Sequence, residues 1–106
     1  MRQAAIYTNK VFAGILTETD EGKYTFRYDD AYRLDESQTA ISPSFPKRRV
    51  EFFSDALFPF FFNMLSEGAN KAYQCRTLKI DENDWFGLLL ATAHTDNIGA
   101  ITVKQI

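Results

Sequence analysis

The stretch QAAIYTNKVFAGILTETDEGKYTFRY, Gln3–Tyr28, decides the fold class. Two segments rich in strand-favouring residues, Gln3–Thr8 and Val11–Glu18, are separated only by Asn9-Lys10, a spacing that suits a hairpin loop. Thr19–Gly22 reads as a second turn, with Gly22 able to take positive φ. Lys23–Tyr28 then alternates: Tyr24, Phe26 and Tyr28 share one face, and Lys23, Thr25 and Arg27 share the other. Three strands joined by short turns predict an antiparallel meander.

Downstream, Asp29–Gln38 is polar and reads as a loop with one helical turn. Thr39–Pro46 is extended at most, because Pro43 and Pro46 cannot donate to a ladder. RVEFF, Arg49–Phe53, is a candidate for one more short strand. After it the period changes. Ser54 is a good N-cap and Asp55 suits the first turn, so a helix is predicted from Asp55 to about Ser66, bent at Pro59 and stopped by Gly68. A weaker helix is predicted over Asn70–Leu78. A third covers Asp84–Ala93, capped by Asp81 or Asn83. After a turn at His94–Ala100, Ala100–Gln105 closes the chain as a strand. Strands, then helices, then a strand indicate one α+β domain over residues 1–106. Its small antiparallel sheet, the N-terminal meander plus the C-terminal strand, packs with about three helices.

FFSDALFPFFFNMLSEG, Phe52–Gly68, holds six of the ten phenylalanines. On a helical wheel Leu57, Phe58, Phe61, Phe62 and Leu65 form one stripe, and Phe60 and Met64 widen the apolar arc to roughly 200°, about twice what one core contact needs. The third helix repeats the pattern around Trp85. Two readings stay open for this excess: both flanks are internal, or one flank meets another chain.

Composition excludes several classes of function. A net charge of −2 and a pI near 5.3 give no electrostatic footprint for nucleic acid. The densest basic run, Pro46–Arg49, reads as a solvated loop. With one histidine, His94, and one cysteine, Cys75, no zinc cluster or internal disulfide can form, and Cys75 reads as a small packed residue. The five glycines are scattered, without a phosphate-cradling loop. No apolar run reaches the ~20 residues of a membrane span, and no secretory leader is read at the N-terminus. The expectation is a cytoplasmic, soluble, non-enzymatic protein with no catalytic residue, cofactor or metal.

Four blocks resemble the N-terminal subdomain of HipA-type serine/threonine kinases. Gly14, Leu16, Gly22, Phe26 and Tyr28 match its opening strand–turn pattern. ISPSFP matches its Ser-rich stretch ending in proline, at Pro46. Phe61, Asn63, Leu65, Glu67 and Gly68 match its helix end. Asp84, Phe86, Leu88, Leu89, Asp96, Gly99 and Ala100 match its closing stretch. Met64 and Ser66 stand where leucine and proline are usual, and His94 where glycine is common.

The resemblance implies a HipA N-terminal subdomain-like fold. The chain stops at Ile106, where the kinase core of that family would begin, so no ATP-binding or catalytic residue carries over. A lone subdomain of this kind is similar to the HipS-like antitoxins of bacterial three-part HipBST toxin–antitoxin systems. The implied function is binding and inhibition of a separate HipT-like or HipA-like kinase core. A HipB-like protein in the same complex would supply the DNA contact. The alternative is a structural subunit that a split HipA-like kinase needs for activity. The candidate contact residues are Phe60, Met64, Ser66, Glu67 and Gly68.

Overall fold

Asn9 and Lys10 both take positive φ, 50° and 68°, the pairing a two-residue hairpin needs to match the twist of its strands. They join β1 (Arg2–Thr8) to β2 (Val11–Glu18). Gly22, at φ 78°, closes the turn into β3 (Tyr24–Tyr28), where Tyr24, Phe26 and Tyr28 are buried as their alternation predicts. These strands are part of a computed structural model that describes residues 1–63, 65, 75–81, 83–92 and 101–106. The remaining elements are α1 (Asp30–Leu34), β4 (Glu51–Ser54), α2 (Pro59–Phe62), α3 (Trp85–Thr92) and β5 (Ile101–Gln105). The five strands form one antiparallel sheet in the order β4-β3-β2-β1-β5. The α+β class, the meander and the closing strand all stand. The predicted helix over Asn70–Leu78 is described only at residues 75–78, which are helical, and the turn at His94–Ala100 lies outside the described residues.

Between α1 and β4 the chain runs through turns without forming a strand, within the limit that Pro43 and Pro46 set on Thr39–Pro46. Side chains hold this segment instead. The Tyr28 hydroxyl donates to the Phe45 carbonyl and accepts from the Ile41 amide at 3.2 Å. The Tyr32 hydroxyl donates to the Thr39 carbonyl at 2.6 Å, and the Lys47 ammonium donates to the Asp35 and Gln38 carbonyls at 2.7 and 2.6 Å. So tethered, Phe45 is 2% exposed and meets the rings of Phe26, Phe52, Phe58, Phe60 and Phe61, with centroids 5.0–6.0 Å away.

The aromatic run does not form the helix expected from Asp55. Ser54 ends β4, and its hydroxyl accepts from the Ala56 amide at 3.2 Å without capping a helix. Phe58 is extended, at φ −55° and ψ 137°, and α2 begins at Pro59. The physical reason is local. A residue before proline is pushed out of the helical region, while proline itself is well suited to the first helical position. The bend expected inside a helix is in fact the start of one. Leu57 and Phe58 therefore reach the core from a loop, and the single wheel drawn through them does not apply. Phe61 is fully buried, Phe60 is half-buried, and Phe62, placed on the core stripe by the wheel, is exposed.

α3 is capped by Asp84 rather than by Asp81 or Asn83. The Gly87 amide donates to the Asp84 carboxylate at 3.1 Å, and the Leu88 amide to its carbonyl at 3.0 Å. Asp81 is taken up in a local turn, accepting from the Asn83 amide at 2.7 Å. Asp84 wins because it has a second partner. Arg2, on the interior strand β1, grips its carboxylate with both terminal nitrogens at 3.1 and 2.7 Å, while its Nε donates to Glu18 at 2.8 Å. The guanidinium also lies 5.2 Å from the Phe86 ring centroid. The Tyr24 hydroxyl completes the group by donating to Glu18 at 3.0 Å. Burial, helped by that carboxylate, pushes the Tyr24 phenol up to about 12. The Arg2 hydrogen bond holds the Asp84 carboxyl below its ordinary range.

Gly87 is packed against this cap: a Cβ there would lie 2.3 Å from an Asp84 oxygen. Alanine usually stabilises a helix interior by up to about 1 kcal/mol over glycine. Here Gly87→Ala is expected to lower the melting temperature, and a rise would show that the cap can yield. Because Asp84 titrates low when folded, its contribution is present above the ordinary carboxylate pKa. It is lost as pH falls through the depressed value. Thermal melts from about pH 6 down to about pH 3 should fall more steeply for the wild type than for Asp84→Asn. Phe45→Ala leaves a cavity among five rings and should cost about 3–5 kcal/mol in denaturant unfolding.

Candidate partner-binding surface

Chemistry-bearing residues in the described part have structural work. Asp29 caps α1 by accepting from the Tyr32 amide at 3.3 Å, and Asp30 sits in the first turn of that helix. Cys75 is a buried free thiol. Among the described residues no group of three or more His, Cys, Asp or Glu could hold a metal ion. No helix there is long and apolar enough to cross a membrane. The basic run is less idle than a solvated loop: Lys47 ties down the segment after α1, and the Arg49 guanidinium stacks 5.0 Å from the Phe52 ring centroid.

Apolar surface is where the molecule stands out. Phe53 is 67% exposed and Phe62 is 40% exposed. Large exposed aromatics of this kind mark interfaces more often than chance. Phe53 reaches solvent because β4 carries two adjacent phenylalanines, and successive strand residues point to opposite faces. Phe52 enters the core beside Phe26, leaving Phe53 outside. The doublet Phe52-Phe53 carries that signal, which a helical wheel over the following segment does not bring out. Phe62 packs edge-on against Trp85, with centroids 5.3 Å apart, and Trp85 rests partly buried against the core.

Two open clefts flank Phe53. One, of about 260 Å3, lies between β4 and the start of α2, with Arg49, Phe52, Phe58, Pro59 and Phe60 among its walls. The other, of about 390 Å3, is lined by Glu21, Lys23, Tyr24, Thr25 and Asp55. The sequence-derived candidate Phe60 is thus one wall of an aromatic cleft, half-buried by its contacts with Phe45 and Phe61 at 6.0 and 5.1 Å. The other candidates, Met64, Ser66, Glu67 and Gly68, lie outside the described residues.

Comparison with known proteins agrees on the fold. The HipA N-terminal domain family matches residues 4–104. An uncharacterized protein of Haemophilus influenzae is 30% identical over 105 residues, covering 99% of this chain and 93% of its own length. Among solved structures, the N-terminal domain of HipA toxin superposes with a TM-score of 0.73 at 27% identity, over 100% of this chain and 93% of that one. The four sequence blocks and the five-stranded architecture therefore have one explanation: the chain belongs to the HipA N-terminal domain family.

Proposed function

We propose that this protein is a non-catalytic, HipS-like antitoxin that binds and inhibits a separately encoded HipT-like serine/threonine kinase. The observation that carries the reading is the match of residues 4–104 to the HipA N-terminal domain family, together with the likeness to the solved N-terminal domain of HipA toxin. The exposed aromatics agree with it. Phe53 and Phe62 expose ring surface that a lone domain does not need for its own core. The acidic balance of the chain agrees with a complex in which a HipB-like partner makes the DNA contact.

The contact would involve the end of the aromatic segment, with Phe60, Met64, Ser66, Glu67 and Gly68 as its residues. Inhibition would be steric or allosteric: the domain sits on the kinase and blocks its cleft or holds an inactive arrangement. The complex would form in the cytoplasm.

Mixing the purified chain with the kinase encoded beside it should give a stable complex and suppress autophosphorylation. Loss of association at micromolar concentration would sink the proposal. Stimulated autophosphorylation would instead identify a subunit that completes a split kinase. Met64→Asp should weaken the complex at least tenfold while leaving the circular dichroism spectrum unchanged. An unfolded variant would place Met64 in the core.

A further inference from the structure

β4 is an edge strand, and its ladder with β3 fixes which backbone groups face outward. The Tyr28 amide donates to the Val50 carbonyl at 2.9 Å, and the same register sets Phe26 opposite Phe52 and Tyr24 opposite Ser54. Hydrogen-bonded rungs alternate along an antiparallel pair, so Val50, Phe52 and Ser54 direct their N–H and C=O groups to β3. Glu51 and Phe53 direct theirs away from the sheet. Those four groups form a short open template of the kind that pairs with another chain.

The surroundings specify what would pair there. A residue added opposite Phe52 points, like Phe52, to the helix side of the sheet, where the cleft of about 260 Å3 has an aromatic wall. The two ends of β4 differ in charge. Arg48 and Arg49 precede it. Beyond Ser54 lie Asp55 and Glu21, with Lys23 3.9 Å from Asp55 offsetting one of the two negative charges.

We propose that β4 accepts an extended segment of another protein as an added antiparallel strand. An apolar side chain fills the cleft beside Phe52 and Phe60. A basic residue at the segment's N-terminal end faces Glu21 and Asp55. An acidic residue at its C-terminal end faces Arg48 and Arg49. The proposal concerns the edge itself and does not depend on which kinase, if any, the chain inhibits.

A labelled peptide Lys-Thr-Val-Leu-Thr-Thr-Glu, titrated with the full chain by fluorescence anisotropy, tests it. Saturable binding tighter than about 1 mM is expected. N-methylating the residues on either side of the leucine removes the donors aimed at Phe53 and Glu51, and should weaken binding at least tenfold. Exchanging the terminal lysine and glutamate should weaken it several-fold. Phe53→Pro removes an amide that points away from β3, a position where an edge strand tolerates proline. The variant should keep its fold and lose the peptide at least tenfold. Absence of saturation, or equal binding of the N-methylated peptide to the unaltered protein, overturns the proposal. So does sedimentation showing a dimer that Phe53→Pro dissolves, since a second copy would then own the edge.

Discussion

Phe45 closes the core from a segment with no regular structure of its own. A long turn-rich connection gains little from backbone ladders, so it needs side chains to define its path. Here the definition comes from two tyrosine hydroxyls, one lysine and one deeply inserted ring. Through that ring the sheet, via Phe26 and Phe52, meets the aromatic segment, via Phe58, Phe60 and Phe61. The sheet and the aromatic segment meet through tilted and edge-on aromatic contacts. Such geometry is directional, each ring pair favouring particular tilts. It gives a small core a definite arrangement that aliphatic packing alone specifies less well.

What the sequence revealed follows from how local each feature is. The meander was legible because hairpin chemistry and alternation act over a few residues: Asn9-Lys10, Gly22, and Tyr24, Phe26 and Tyr28 all lie as expected. The aromatic helix was misread because two local rules competed. Ser54 and Asp55 look like a helix start, but the restriction that Pro59 places on Phe58 overrides them. The cap of α3 could not be chosen locally at all. Asp81, Asn83 and Asp84 are all good caps, and Arg2, far away along the chain, selects the last of them. The importance of Phe45 was equally hidden, since nothing in ISPSFP marks its phenylalanine as the centre of a ring cluster. Of the surface, the helical wheel points to the half-buried Phe60 and not to the more exposed Phe53, which lies on a strand.

Membership of the HipA N-terminal domain family sets these features beside a solved domain of the same fold. Exposed aromatic surface such as that of Phe53 and Phe62 is of the kind found at interfaces. Several of the chain's acidic groups, meanwhile, serve as caps and clamps. Asp29, Asp84 and Glu18 each hold a backbone amide, an arginine or a tyrosine in place.

The pairing of β1 with β5 also sets an order of events during synthesis. β1 lies inside the sheet, yet one of its two neighbours consists of residues 101–105. Until those residues leave the ribosome, one side of β1 stays unpaired while the hairpin on its other side is already complete. Such a nascent domain carries an unpaired strand edge that can meet other chains. The small residues Ala4 and Ala5 on β1 make that waiting edge less adhesive than a run of valine and isoleucine would be.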